Sequence, residues 1–216
     1  MRVVRKNAAP DAFLQWMALA NKEWVPSFSG LQKPEKPALH QALIAEQHGL
    51  CCYCGRSITS ESSHIEHFHP QHAYPQLALD YGNLFASCIR ETGPRLPLHC
   101  GHAKAEAFRD DLQISPLDPG CEQRFRYALD GHILPQQSDD EAAIYMADLL
   151  ALDIEFLQTR RKEVLEGMFD DEFLLTASRD ELQAICHFHR TPDAAGTLPV
   201  FAHVIVRFAE QLLEKS

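Results

Sequence analysis

The sequence predicts an α+β protein in which helices flank a short-stranded core rich in metal-binding side chains. Three observations predict it. Cysteines at 51, 54, 88 and 100 frame a run of histidines and carboxylates. His64 to Pro70 alternates as a strand does, and apolar residues recur at helical spacing towards both ends. At 216 residues, 45% hydrophobic and 23% charged, the chain has the make-up of a soluble globular protein and length enough for a substantial core. We expect a helical arm over 1–49, the metal-rich core over 50–135 and a helical region over 136–216.

Charge and cysteine usage narrow the class. Against 20 basic residues stand 30 acidic ones, a net charge of −10. A protein that holds phosphate backbones unaided usually shows a basic face, so nucleic-acid binding here needs a local basic patch or a basic partner. No stretch is apolar for long enough to span a bilayer, and Met1 to Lys6 has no sustained apolar run of the export type. The expected location is the cytoplasm, where disulfides are disfavoured, and seven cysteines is an odd count. Cys121 and Cys186 sit away from the cluster, and Cys186 suits a buried structural thiol.

In chain order, Phe13, Trp16, Met17 and Ala20 recur at helical spacing after Pro10 and Asp11, which suit a helix start. Pro26, Gly30, Pro34 and Pro37 make the next stretch a loop. A second helix is expected over about 38–48, ended by Gly49. Cys51-Cys52-Tyr53-Cys54-Gly55 then has the form of a zinc knuckle: the turn aims two sulfurs inward and Gly55 permits a positive φ. Cys52 breaks the spacing and is a spare. Cys88 and Cys100 are the natural second pair, with His99 and His102 as substitutes. A redox pair at Cys51 and Cys54 would want a βαβ setting, and the polar turn formers from Ser57 to Ser63 do not supply one.

The strand from His64 places His64 and Glu66 on one face and His67 on the other. A carboxylate beside an imidazole can divide labour, Glu66 holding a hard cation and His67 taking a proton from water. Asn83, between Gly82 and an apolar run, could fix a histidine or ligate a metal, although such an Asn is commonly a helix cap. A Pro- and Gly-rich insertion covers Arg90 to Leu98. His99 to Glu106 then opens a helix, whose first amides and Lys104 could meet a phosphate. Beyond it, helices are expected over 139–150 and 153–168, the latter capped by Asp153. Arg160, Arg161 and Lys162 read as a solvated face that could instead approach a nucleic-acid backbone. Ser178 to Glu181 is a capping box, and Phe201, Val204, Ile205, Phe208 and Leu212 stripe a last helix.

Taken together, Cys51-Cys52-Tyr53-Cys54-Gly55, Ile65-Glu66-His67-Phe68, Asp80-Tyr81-Gly82-Asn83-Leu84 and Cys100-Gly101-His102-Ala103-Lys104 resemble the HNH endonucleases of the zinc-stapled ββα-metal class. Within that class they are similar to the PtuB family, nuclease subunits of the Septu anti-phage system that also occur as retron-associated effectors. The resemblance extends over most of the chain and is firmest over 51–162. It implies a structural zinc on Cys51, Cys54, Cys88 and Cys100, His67 as general base, and Glu66 beside a catalytic Mg²⁺ or Mn²⁺. Asn83 would orient His67 or the metal. The family's last histidine follows the second cysteine pair, where Gly101 stands here, which leaves His102 or His64 as the remaining ligand. The implied partners are a PtuA-like ATPase, DNA or tRNA as substrate, and in retron systems the reverse transcriptase with its RNA–DNA product. A zinc-stabilised binding module with a degenerate site is the alternative.

Overall fold

The computed structural model describes residues 1–93 and 96–214; Pro94 and Arg95, within the expected insertion, lie outside the described residues. Pro10 and Asp11 open α1 (Asp11–Met17), which buries Phe13 and Trp16. Helix α2 (Glu35–Glu46) starts three residues earlier than its spacing suggested, because Pro34 stands at its cap position. It buries Leu39 and Leu43, and the chain leaves it through His48 and Gly49, both at positive φ.

The metal-rich region is built on a hairpin and a turn of helix. Strands β1 (Ser63–His67) and β2 (Leu84–Cys88) pair antiparallel, with Ser63 opposite Cys88 and His67 opposite Leu84. β1 stops short of the expected end at Pro70, because after His67 the chain turns away into the loop that Asn83 holds. α3 (Gly101–Lys104) follows β2 and begins at Cys100, whose backbone N–H donates to the Leu150 carbonyl at 2.8 Å. The order strand, strand, helix is thus present, with its parts tied to the surrounding helices.

A second hairpin, β3 (Phe125–Tyr127) with β4 (Ile133–Pro135), and the helices α4 (Glu141–Leu149), α5 (Glu155–Met168), α6 (Asp171–Thr176), α7 (Arg179–Arg190) and α8 (Ala202–Leu213) complete the fold. α8 is buried from Ala202 to Ala209 and is tied to β3, where Gln211 and the Tyr127 backbone exchange two hydrogen bonds of 2.8 Å. One cluster of buried apolar side chains runs from Met1 to Ala209. The capping box at Ser178 and Glu181 is present in full.

Two expectations on α5 are corrected. Asp153 does not cap it; its carboxylate accepts from the Ile133 N–H at 2.9 Å and lies 2.8 Å from His132 Nδ1, so it binds the β3–β4 hairpin instead. The basic run is no uniform solvated face, because Arg161 is buried and donates to the carbonyls of Gly131 and Leu152. A guanidinium surrounded by carbonyl oxygens serves the core, not a phosphate backbone.

Candidate functional site

The cysteine cluster is built by local geometry at four points. The Cys51 N–H donates to Arg56 O at 2.8 Å and the Gly55 N–H to Cys51 O at 3.0 Å, closing a tight knuckle. Gly55 takes φ +76°, as its place after the second cysteine requires. Cys88 ends β2 and Cys100 begins α3. The four Sγ atoms lie within 4.8 Å of one another, all buried, and Cys54 and Cys88 are 3.6 Å apart. Four sulfurs around one zinc, each about 2.3 Å from it, stand roughly 3.8 Å from each other, so this set is the right size for the ion.

The thiols' electrostatics agree with that fit. Burial raises all four, yet hydrogen bonds from Cys100, Cys52 and the remaining pair outweigh it at Cys51 and hold its thiol well below the ordinary value. Cys54 comes down to about 7, again against burial, through Cys100 and Cys88. Cys100 goes up, chiefly by burial, and Cys88 also goes up, despite a lowering hydrogen bond from Cys100. Without a cation the sulfurs compete for a limited negative charge; a divalent ion stabilises all four as thiolates. His99 borders the cluster, its Nδ1 3.2 Å from Cys100 Sγ, and Cys52 stays outside it.

Beside the cysteines, the face of β1 carrying His64 and Glu66 meets α3. Glu66 Oε1 lies 3.0 Å from Lys104 Nζ and accepts from the Tyr53 hydroxyl at 3.2 Å; Oε2 is 3.4 Å from His64 Nε2. His64 Nδ1 and His102 Nε2 both lie on the Ile89 carbonyl, at 2.6 and 2.9 Å, with the two rings 4.4 Å apart. Burial pushes the Glu66 carboxyl up, but His64 and the Lys104 ammonium hold it below its ordinary value. Burial lowers His64 too, and Glu66 with the Ile89 carbonyl reverses that into a net rise. Lys104, expected to meet a phosphate, is 1% exposed and turned towards Glu66 and the His67 carbonyl.

His67 points to the opposite face. Its Nε2 is 3.0 Å from the Ala78 carbonyl, which fixes the tautomer: Nε2 carries the proton and Nδ1 the lone pair. That nitrogen accepts from the Gln71 amide at 3.2 Å, and Gln71 is exposed. Burial lowers His67, so it stays neutral at pH 7. Asn83 does not bond His67. Its Oδ1 accepts from the His69 N–H at 2.7 Å, and its Nδ2 donates to the carbonyls of His69 and Leu77. By holding Leu77, Asn83 fixes the peptide next to the Ala78 carbonyl on which His67 rests. Tyr53, His69 and Gln71 were not legible as participants; they are polar groups brought in by the turn and the loop.

These features define an α+β protein with two small hairpins and a buried four-cysteine cluster compatible with zinc. No protein-family model matches the chain. Over 62 residues the chain is 36% identical to the Septu protein PtuB of Bacillus thuringiensis, a match covering 28% of this chain and 24% of that protein. This partial similarity suggests a Septu-related protein. Among the described residues no helix is long and apolar enough to cross a membrane.

Proposed function

We propose that the chain is a metal-dependent HNH-type endonuclease, hydrolysing phosphodiester bonds of DNA or tRNA in anti-phage defence alongside a PtuA-like ATPase. The observation that carries this is the state of His67. A neutral imidazole with one nitrogen locked on the Ala78 carbonyl, and the other accepting from the exposed Gln71 amide whose place a water can take, is arranged as a general base. The partial likeness to a Septu protein supports the setting in defence.

Cys51, Cys54, Cys88 and Cys100 would hold the structural zinc. His64 Nε2 and Glu66 Oε2, 3.4 Å apart, with His102 adjacent, would be the donors for a catalytic Mg²⁺ or Mn²⁺. The Ile89 carbonyl on His64 Nδ1, the usual outer support of a metal-bound imidazole, leaves Nε2, which here faces Glu66 Oε2, as the nitrogen that would ligate. Such an ion supplies charge neutralisation at the leaving oxygen. His67 takes the proton of the attacking water, and Asn83 holds the loop that orients His67.

One observation favours a second reading, a zinc-stabilised binding module: the Glu66 carboxylate is already satisfied by Lys104 and Tyr53. Incubation of the chain, alone and with its ATPase, with DNA and with total tRNA in Mg²⁺ or Mn²⁺ separates the two. Nuclease action predicts cleavage that falls at least about 10²-fold in His67→Ala. Zinc-containing protein that cleaves nothing under any of these conditions leaves the binding module.

A further inference from the structure

Along the edge of β1 runs a groove of about 470 Å³ whose cationic lining is Lys33, Lys36 and Arg90, with His40 and His64 beside them. None of its lining residues is a carboxylate, in a chain whose acids outnumber its bases by 30 to 20. Glu35 and Glu61 flank it in sequence without lining it. Among the described residues none of the three cations forms an ion pair: Lys36 Nζ sits over the Phe28 ring at 4.9 Å and Arg90 donates to the Ser60 carbonyl. Phe28 also lines the groove, and its ring stands nearly perpendicular to the His67 ring at a centroid distance of 4.4 Å. The groove therefore touches His64 directly and His67 through one aromatic ring.

Unpaired cations around an aromatic side chain suit a phosphodiester strand whose bases are free to stack. A duplex keeps its bases stacked inside, out of reach of Phe28. Resting on the nuclease reading, we propose that this groove binds single-stranded nucleic acid, with Lys33, Lys36 and Arg90 on phosphates and Phe28 stacked against a base beside His67. The local basic patch that an acidic chain needs for this ligand is then on the chain itself.

The test reads binding without cleavage. Full-length, zinc-loaded protein without Mg²⁺ or Mn²⁺ is titrated against labelled single-stranded DNA, single-stranded RNA and the matching DNA duplex, with anisotropy as the readout. Binding of either single strand at least about tenfold tighter than the duplex is expected. Lys33→Gln with Lys36→Gln and Arg90→Gln should weaken it at least about tenfold and flatten the salt dependence by a slope of about 2. Phe28→Leu should weaken it by about tenfold with the slope unchanged. Zinc content and Tm confirm folding, and Lys33→Gln with Arg90→Gln alone repeats the test on exposed positions. No single-strand binding, equal or tighter duplex binding, or variants that bind like the parent would each overturn the proposal. Groove-dependent binding without any cleavage removes the nuclease reading alone; cleavage untouched by the groove variants removes the groove alone.

Discussion

Gly101 stands so close to Glu66 that a Cβ on it would lie 2.8 Å from the carboxylate carbon, 2.8 Å from His64 Nε2, and nearer still to Glu66 Oε2. The space that a side chain would need at this position, where the resemblance expected a histidine, is filled by Glu66 and His64 of β1. Glu66 cannot step aside, because Lys104 and Tyr53 hold its other oxygen. Gly101→Ala should therefore cost about 1–3 kcal/mol through overpacking and, on the nuclease reading, reduce cleavage by about 10²-fold through displaced groups. Zinc content, measured alongside, should not change.

Lys104 and Glu66 form a buried ion pair. Lys104→Met strands the carboxylate and should destabilise the protein by about 3–5 kcal/mol in urea titration. Adding Glu66→Gln removes the stranded charge and should recover most of that loss. A double variant no more stable than Lys104→Met would show that the pair is not the source of the effect.

The cysteine cluster should hold one zinc per chain by elemental analysis. Cys54→Ser, or an excess of chelator, should release it and lower Tm by about 10 °C or more. Cys52→Ala and Cys121→Ala, outside the group, should keep the metal.

His203 is buried beside Tyr127 and Gly55, and among the described residues its Nδ1 has no hydrogen-bond partner. Burial, reinforced by the terminal amine and Arg2, holds it well below 6.5. The unfolded chain takes up the proton first, so stability from its neutral state is complete above 6.5 and is lost as pH falls below it. The stability difference between wild type and His203→Gln should therefore change by up to about 1.4 kcal/mol per pH unit between pH 6.5 and 5. A pH-independent difference would place the protonation elsewhere.

Legibility followed how much of each feature is local. The knuckle, the capping box at Ser178 and the alternation of β1 are written within a few residues each. β2 is buried along its whole length, so no alternation marks it. β3 and β4 span three residues each, too short for any period. Lys104, Arg161 and Asp153 carry surface-type side chains that tertiary partners draw inward or sideways. Nothing adjacent to them in sequence announces the Glu66 carboxylate, the Gly131 carbonyl or the Ile133 amide.

The sulfurs of Cys88 and Cys100 bring both ends of the intervening segment to one point. With both ends held at the cluster, closing a segment twice as long should cost only about 0.6 kcal/mol more. Ile89 and Arg90 at one end and His99 at the other are tied to the site, so the part between Arg90 and His99 is where an inserted reporter peptide should be best tolerated.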